Sequence, residues 1–383
     1  MINNLSDTKK IVDFFGFRPI LSSSIKVTRN CNLHCKHCYV HTNNGEENIS
    51  LEDIKKIIDE LVNHGCINLF INGGEPFLRE DIIDIFNYAT EKGLLISVSS
   101  NGLVINEDIL TKIKSKNLKL FQISVDGTEE IHNKIRRRAD SYKNAIKALK
   151  LASKTLSKNT QVVMATTIMR DNIEHIPNML KLAKECKVDT YCLVPLMASS
   201  DDKYVQAEDV TAREKKELFD KIVEIYEEKY KNAFELSLVV PPALIPIQLR
   251  NRKFGHGYVC TFPEMLGIDA NQNVAPCDGL LDNKEYLLGN LKHKNINDIT
   301  NNKIIEDLEK IKFTELTGVC SICKYTNTCQ GGCRVSSFNK FGNFICPDSI
   351  CQEMYEEGLF PYDSIDITKE YKPLKKGENK NVE

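Results

Sequence analysis

The sequence predicts an α/β protein: a partial (β/α)6 barrel of the TIM type followed by a cysteine-rich C-terminal domain. Short runs of β-branched residues alternate with helical patterns between residues 23 and 194, which is typical of a parallel sheet covered by helices. Polar residues with the character of ligands follow the ends of these runs, where parallel barrels form their sites. A third observation is that eight of the fourteen cysteines lie within residues 260–351.

The elements follow one another in a regular order. Strands are predicted over 23–28, 67–71, 95–99, 119–124, 161–168 and 189–194, and helices over 51–64, 80–92, 107–115, 141–155 and 173–186. Residues 203–232 are highly charged and carry apolar residues at helical spacing, which predicts a helix packed by one face. We therefore expect an N-terminal extension (1–22), the barrel (23–200), a helical region (201–250), the cysteine-rich domain (251–365) and a disordered polar tail (366–383).

Composition excludes several classes of partner. The formal net charge of the 383 residues is −2 and no broad basic stretch exists, which argues against nucleic acid, since phosphate neutralisation requires clustered Lys and Arg. There is no apolar signal segment and no transmembrane run, so we expect no membrane partner. Without a signal segment, and because thiolates that hold a metal cluster must stay reduced, we expect a cytoplasmic protein. The absence of tryptophan and the abundance of Lys, Ile and Asn suggest an anaerobic bacterium.

Three cysteines near the N-terminus have the spacing of a metal cluster loop. Cys31, Cys35 and Cys38 are separated by three and then two residues. A cubane iron–sulfur cluster has four irons that each need a ligand, so three thiolates leave one iron open for chemistry. The alternative is a structural zinc site, for which His34 or His37 would supply the fourth ligand.

A glycine pair follows the second predicted strand. In Gly73-Gly74-Glu75-Pro76, two glycines let the backbone approach a small ligand closely, and Glu75 can accept hydrogen bonds from an ammonium group. Alone, such a pair is an ordinary turn. Placed about forty residues after the cysteines, it favours a ligand on the open iron over zinc.

Together, the cysteine triad and the Gly-Gly-Glu-Pro run resemble the radical S-adenosylmethionine superfamily, over residues 22–200. The resemblance implies that the open iron binds the amino and carboxylate groups of S-adenosylmethionine, and that an electron cleaves the sulfonium to give methionine and a 5'-deoxyadenosyl radical. That radical takes a hydrogen atom from an unactivated C–H bond. The resemblance also implies a reductant such as flavodoxin or ferredoxin.

The resemblance assigns roles to single residues. His37 stands where the family has an aromatic ring beside the adenine, while Gly73, Gly74, Glu75 and Pro76 match the methionine-binding run. The remaining matches are polar residues at strand ends: Ser99 and Asn101 at the ribose and Ser124 facing the substrate. The alternative for these serines and for Asn101 is turn chemistry, because Asn-Gly and Asp-Gly are turn signals by themselves.

The C-terminal cysteines resemble the SPASM extension of a subset of this superfamily. Zinc ribbons are the alternative, since Cys320-x2-Cys323 and Cys329-x3-Cys333 could close a tetrahedral site. The resemblance implies two auxiliary [4Fe-4S] clusters, one held by Cys320, Cys323, Cys329 and Cys351, the other by Cys260, Cys277 and Cys333. The fourth ligand of the second cluster is either Cys346 or an exogenous or substrate ligand on an open iron. One departure is Gln272, which stands where the family has a glycine.

The resemblance implies an enzyme that matures a ribosomally made peptide or protein through a crosslink, a thioether or formylglycine. Residues 1–22 are too few for a leader-binding domain, so a separate leader-binding protein or a groove on the barrel would recognise the peptide. Two alternatives stay open. One is oxidative side-chain chemistry on a tetrapyrrole, with Arg136, Arg137 and Arg138 as propionate ligands or as a solvated helix start, and the other is a non-catalytic electron-transfer protein.

Overall fold

The computed structural model describes residues 17–38, 48–114, 116–196, 203–250, 252, 260, 262 and 264–377. The strands are β1 (Ser22–Thr28), β2 (Asn68–Gly73), β3 (Leu95–Ser100), β4 (Leu118–Ser124), β5 (Gln161–Ile168), β6 (Thr190–Pro195), β7 (Glu235–Leu238), β8 (Met265–Ile268), β9 (Asn273–Ala275) and β10 (Gly289–Asn290). The helices are α1 (Leu51–Asn63), α2 (Ile82–Glu91), α3 (Glu107–Ile113), α4 (Glu129–Arg136), α5 (Ser141–Thr155), α6 (Ile176–Cys186), α7 (Lys203–Glu208), α8 (Ala212–Lys229), α9 (Ile296–Thr300), α10 (Lys303–Glu309), α11 (Thr326–Cys329), α12 (Arg334–Phe341) and α13 (Ser349–Glu356).

The chain divides into two compact units, each assembled from three stretches. The first contains Met1–Ser124, Arg136–Val163 and Thr261–Lys310, and the second contains Val125–Ile135, Met164–Cys260 and Ile311–Glu383. The domain boundaries predicted from the order of the sequence follow a different division and stay a prediction.

The first unit is built on a sheet with the strand order β10-β9-β8-β1-β2-β3-β4-β5. Strands β1 to β4 pair in parallel, and β8 adds to the free edge of β1, also in parallel. Strands β8, β9 and β10 then run antiparallel. Only the first three residues of β5 belong to this unit, and the others belong to the second unit.

The two faces of this sheet differ in chemistry. On one face Ile25, Ile71 and Val98 are fully buried, as expected under covering helices. The other face, which we call the inner face, carries alternate residues of β1, β2 and β3 that are mostly polar: Ser22, Ser24, Lys26, Asn68, Asn72, Ser97 and Ser99. A parallel sheet buried by apolar residues on both sides would read as a continuous apolar run, so the inner face is built for something polar.

The second unit holds β5, β6 and β7, helices α6 and α8, and the cysteine-rich C-terminal segment. Helix α8 begins with a capping box between Thr211 and Glu214.

The C-terminal tail, expected to be disordered, is ordered over residues 366–377. Lys372 pairs with Gly318 and the Tyr371 ring stacks on Tyr355, so backbone and aromatic contacts hold this stretch in place. Residues 378–383 lie outside the described residues.

All six predicted strands and all five predicted helices of the barrel region are confirmed to within three residues. Strands β7 to β10 and helix α4 were not predicted. No helix among the described residues is long and apolar enough to cross a membrane.

Candidate functional site

The loop after β1 brings the three N-terminal thiols together. Burial raises the pKa of Cys31 to about 12, and the nearby groups that raise it further are Glu75, Cys35 and Cys38. The Cys38 N–H donates to the Cys35 carbonyl at 3.3 Å, which folds the loop back on itself. His37 lies in the turn between these two cysteines and is partly exposed.

A zinc ion and an iron–sulfur cluster require different distances between the sulfurs of their cysteine ligands. Within the described ranges, no group of three or more His, Cys, Asp or Glu side chains is arranged to hold a single metal ion. A mononuclear zinc site brings its sulfurs within about 3.8 Å of each other, because each lies about 2.3 Å from the ion. A cubane cluster binds each thiolate through a different iron and therefore needs wider spacing. Zinc and a cubane cluster therefore require different spacings of the ligand sulfurs.

The glycine pair is required by the chain that leads into the cysteine loop. Gly73 has a φ of +135°, and a Cβ atom there would overlap the Thr28 carbonyl; at Gly74 it would overlap the Asn30 carbonyl. The Gly74 N–H donates to Thr28 and the Glu75 N–H donates to Asn30, both at 2.8 Å. The close approach predicted from the sequence is thus present, and the group that approaches is the backbone just before Cys31.

Glu75 is a fully buried carboxylate at the end of β2. It accepts hydrogen bonds from the Asn101 N–H (2.7 Å), the Ser100 hydroxyl (2.9 Å) and the Phe77 N–H (3.2 Å). Burial raises its pKa to about 7, while these donors and the charge of Arg136 oppose the shift. A carboxylate has about four lone-pair sites, so one acceptor position is left for a ligand. The adjacent Pro76 is buried and opens a short 3-10 turn.

Ser99, Asn101 and Ser124, at or just after the ends of β3 and β4, differ in the residues they contact. The Asn101 side-chain amide donates to Asn32 at 2.7 Å and lies 3.9 Å from the Cys31 sulfur, which joins the end of β3 to the cysteine loop. The Ser99 hydroxyl accepts from Gln122 at 3.1 Å. Ser124 is partly exposed at the end of β4. The structure therefore groups Cys31, Glu75 and Asn101 by direct contacts.

Arg136 is a site residue that the sequence offered only as a propionate ligand or a solvated helix start. It is buried, and its guanidinium donates to the Cys35 sulfur at 3.5 Å. Arg138 is exposed, pairs with Asp140 at 2.6 Å and reaches the Asn32 carbonyl at 3.4 Å. The signal available in the sequence was the position of Arg136, which follows the end of β4 at the same edge of the sheet as the other ligands.

A cavity of about 270 Å3 lies on the inner face of the first unit, between β1, β2, β3 and β8, and its lining combines polar residues such as Ser24, Asn72 and Asp278 with Leu69, Phe70 and Met265. The Lys26 ammonium lies 3.7 Å from Asp278, and the Ser24 hydroxyl donates to Asp278 at 3.4 Å. The Asn72 amide donates to Ser24 at 2.9 Å, while its own oxygen is buried and has no hydrogen-bond partner among the described residues. This open acceptor beside a carboxylate suits a ligand that donates hydrogen bonds.

Four C-terminal thiols form a second cluster of cysteines, in the second unit. Burial is the main cause of the raised pKa values of Cys320, Cys323, Cys329 and Cys351, and neighbouring thiols add to it for Cys320, Cys329 and Cys351. Arg334 acts in the opposite direction on Cys320 and Cys329, and donates to backbone carbonyls that include Cys346 at 2.8 Å. Buried cationic charge beside converging thiols suits an anionic cluster.

The remaining predicted ligands are less closely grouped. Cys260 and Cys333 interact electrostatically within the second unit, and burial raises the pKa of Cys333 to about 12. Cys277 belongs to the first unit, so the three-cysteine set stays a prediction. The Cys346 thiol donates to Lys375 at 3.5 Å and accepts from Thr317 at 3.9 Å, and we therefore propose that it is a packing residue and not a ligand.

Gln272 shows why the family pattern has a glycine at this position. Its φ is +69°, in the left-handed region, and its N–H donates to Asp269 at 2.9 Å in the turn between β8 and β9. Its side chain is anchored by Asp53 at 3.3 Å. The left-handed turn therefore forms although glycine, the residue that favours it, is absent.

Comparison with known proteins places this site in context. Residues 25–183 match the model of the radical SAM superfamily. The Fe-coproporphyrin III synthase of Methanosarcina barkeri is 25% identical over 351 residues, covering 86% of this chain and 87% of that protein. The cysteine-type anaerobic sulfatase-maturating enzyme of Clostridium perfringens is 27% identical over 377 residues, covering 90% and 97%.

Among solved structures, Streptococcus suis SuiB bound to its precursor peptide SuiA superposes with a TM-score of 0.70 and 14% identity, covering 91% of this chain and 79% of that one. At this identity the likeness concerns the fold alone, and it confirms the predicted partial barrel with a C-terminal domain.

Proposed function

Because the chain carries a radical SAM domain over residues 25–183, we propose that it is a maturase that oxidises a polar side chain of a ribosomally made peptide or protein. The product would be a crosslink, a thioether or formylglycine. The family's cofactors are a [4Fe-4S] cluster and S-adenosylmethionine, and SPASM-type relatives carry auxiliary clusters.

The residues present fit these cofactors. Cys31, Cys35 and Cys38 would hold the cluster, and the free acceptor position of Glu75 would take the ammonium of S-adenosylmethionine. When bound, the pair supplies a strong hydrogen-abstracting radical. Arg136 adds positive charge next to the Cys35 sulfur, which stabilises an anionic cluster. Cys320, Cys323, Cys329 and Cys351 would hold one auxiliary cluster.

The observation that carries the substrate class is the set of hydrogen-bond acceptors, Asn72 and Asp278, in the cavity on the inner face. At about 270 Å3 it lies just below the usual range of ligand pockets, roughly 300–1,000 Å3, so its size suits a single side chain. The Asn72 oxygen and the Asp278 carboxylate accept hydrogen bonds, which suits a hydroxyl, thiol or amide. Asp278 can also accept a proton from such a group, with Lys26 holding it in place.

Two comparisons support a peptide substrate. SuiB was solved with a precursor peptide bound, and the Clostridium perfringens relative is a sulfatase-maturating enzyme. A reductant and a separate leader-binding protein complete the proposed set of partners.

The test uses the anaerobically reconstituted full chain with S-adenosylmethionine and dithionite. We expect 5'-deoxyadenosine, together with a mass change in a peptide encoded beside this chain. Asn72→Ala should lower product formation at least about tenfold, because the cavity loses an acceptor, while it leaves uncoupled formation of 5'-deoxyadenosine in place. Asn178→Ala, at an exposed asparagine, is the matched control. If every such peptide keeps its mass while 5'-deoxyadenosine accumulates, the peptide assignment is wrong.

A tetrapyrrole substrate is the second candidate, because the Methanosarcina barkeri relative is a Fe-coproporphyrin III synthase. The Asp278 carboxylate already pairs with the Lys26 ammonium at 3.7 Å, so among the described residues the cavity of the first unit offers an anionic propionate no unpaired cation. Incubation with coproporphyrin III or its iron complex discriminates: decarboxylated product would favour this candidate. A non-catalytic electron carrier is disfavoured, since it has no use for Glu75 and the cavity on the inner face.

A further inference from the structure

Asp348 is a buried carboxylate of the second unit to which the proposed function gives no role. Only 5% of it is exposed, although an acidic residue rarely lies in the interior without partners. It stands three residues before Cys351, at the start of helix α13. One carboxylate oxygen accepts from the Ile350 N–H at 3.2 Å, which is the contact of an N-cap residue. A cap alone does not require burial, so its other contacts need a further explanation.

Asp348 is hydrogen-bonded to ligand residues of both C-terminal sets of thiols. Its second carboxylate oxygen accepts from the Cys333 N–H at 2.8 Å, and its backbone carbonyl accepts from the Cys351 N–H at 3.1 Å. Its own N–H donates to the Gly331 carbonyl at 3.0 Å, in the loop between Cys329 and Cys333. Cys351 belongs to the four-cysteine set and Cys333 to the three-cysteine set. One residue therefore fixes the position of this loop relative to the helix that carries Cys351.

Two glycines in this loop make room for a buried acid and a buried base. Gly332 has a φ of +75°, and a Cβ atom there would lie 2.7 Å from the Asp348 Cβ atom and 2.8 Å from its Oδ2 atom. At Gly331, which has a φ of +87°, a Cβ atom would overlap the Arg334 guanidinium. Both side chains are buried. The glycine pair is thus required by the close approach of Asp348 and Arg334 to the ligand loop.

The negative charge of Asp348 acts on both sets of thiols. Burial raises the pKa of Asp348, and the Cys333 hydrogen bond and the Arg334 charge oppose that rise. Burial is also the main cause of the raised pKa at four ligand thiols, and the Asp348 charge adds to it at each of them: Cys320, Cys329, Cys333 and Cys351. A negative charge at this place also disfavours the addition of an electron to a nearby cluster.

We propose that Asp348 is a positioning residue that lowers the reduction potential of the auxiliary cluster held by Cys320, Cys323, Cys329 and Cys351. This inference rests on the cofactors of the proposed function and not on its peptide substrate. The carboxylate acts through its charge and through the Cys333 N–H, which it occupies and thereby withholds from a cluster sulfur. Net charge and hydrogen bonds to the sulfurs are two of the factors that set the potential of an iron–sulfur cluster.

The experiment measures the midpoint potential of this cluster by electron paramagnetic resonance. The reconstituted full chain is titrated with dithionite, which supplies one electron per cluster, at one fixed pH and without a peptide. Cys351→Ala identifies the signal, because it removes a ligand of this cluster. Asp348→Asn keeps the size of the side chain and removes its charge. At the wild-type midpoint, the ratio of reduced to oxidised cluster should be at least about tenfold higher in this variant, a rise of about 59 mV for a one-electron couple.

Glu353→Gln is the matched control, since it removes the same charge from the same helix. Glu353 lies two residues beyond Cys351, but it is partly exposed and pairs with Lys340 at 2.9 Å. Solvent and the lysine screen its charge, so the ratio should stay within about twofold of the wild type. Asp348→Ser is a second test variant: serine is also an N-cap residue, so it keeps the start of α13 and should raise the midpoint as Asp348→Asn does.

Three outcomes would overturn the proposal. The first is an unchanged midpoint at full iron content in Asp348→Asn, and the second is a rise of equal size in Glu353→Gln. The third is loss of the cluster in both Asp348→Asn and Asp348→Ser, which would show that Asp348 acts only in folding. Because the readout is a potential measured without a peptide, a failure to modify any peptide would contradict the proposed function and leave this result standing.

Discussion

At the scale of single residues, we propose that Glu75 is the group whose charge matters most for binding S-adenosylmethionine. Its pKa is raised to about 7 by burial, although three hydrogen bonds and Arg136 favour the ionised form. In the proposed complex, the ammonium of S-adenosylmethionine fills the free acceptor position and favours ionisation. Binding and deprotonation of Glu75 are therefore linked.

The linkage predicts that affinity for S-adenosylmethionine rises with pH. The carboxylate is mostly protonated at pH 6 and mostly ionised at pH 8, so the dissociation constant of the reconstituted protein should fall about tenfold between them. Glu75→Gln should bind at least about tenfold more weakly and show little dependence on pH. Equilibrium dialysis at several pH values measures both. An equally steep pH dependence in Glu75→Gln would show that another group is responsible.

The second prediction at this scale concerns the close approach of the backbone at Gly74. In Gly74→Ala the methyl group would overlap the Asn30 carbonyl, which is backbone and cannot move away cheaply, so the cysteine loop should shift at a cost of about 1–3 kcal/mol. We expect loss of about four irons per chain in iron analysis after reconstitution. Gly93→Ala is the control: this glycine also has a positive φ (+81°) but has open space around its Cβ position, so it should lose stability without losing iron.

At the scale of elements, sequence patterns predicted strands and helices where the pattern was long. Strands β1 to β6 have six to eight residues and helix α5 has fifteen, enough for periodicity to be read. Strands β8, β9 and β10 have two to four residues, and the pairing of β8 with β1 joins positions more than two hundred residues apart, which no local pattern encodes.

The candidate site was predictable to a similar extent. The three cysteines lie close together in sequence, as do Gly73, Gly74 and Glu75, so each run formed a recognisable motif. Arg136 joins them only because the chain turns back at the end of β4. The cavity on the inner face was not predicted, because Ser24 and Lys26 come from β1 whereas Asp278 comes from a distant segment. Spatial neighbours of this kind need the fold.

The cysteine-rich segment gives the element-scale prediction. Because the Cys346 thiol contacts Thr317 and Lys375, whereas Cys351 is fully buried among Cys320, Cys323 and Cys329, the two positions should respond differently. Cys351→Ala should lose up to about four irons per chain, while Cys346→Ala should keep the full iron content and the same cluster spectrum. Loss of iron in Cys346→Ala would show that Cys346 is a cluster ligand.

At the scale of the whole molecule, we propose that buried thiols couple metal content to stability. Burial raises the pKa of Cys31, Cys329 and Cys333 to about 12, against an ordinary value near 9. In the folded apoprotein these thiols therefore keep their protons at a pH where the unfolded chain loses them. Their contribution to stability is complete below pH 9 and is lost as the pH rises from 9 towards 12.

The last prediction follows from this loss of stability at alkaline pH. On going from pH 7.5 to pH 10, the iron-free protein should lose about 1 kcal/mol of unfolding free energy for each such thiol, while the loaded protein should not, since ligand thiolates have no proton to lose and alkaline pH favours metal binding. The difference in Tm between loaded and iron-free protein should thus widen with pH, as thermal unfolding under anaerobic conditions would measure. Cys66 is a buried thiol with a pKa raised to about 12 that lies outside the predicted ligand sets, so Cys66→Ala should shift both forms alike and leave the difference unchanged. A difference in Tm that stays constant between pH 7.5 and pH 10 would mean that the buried thiols are not the ligands.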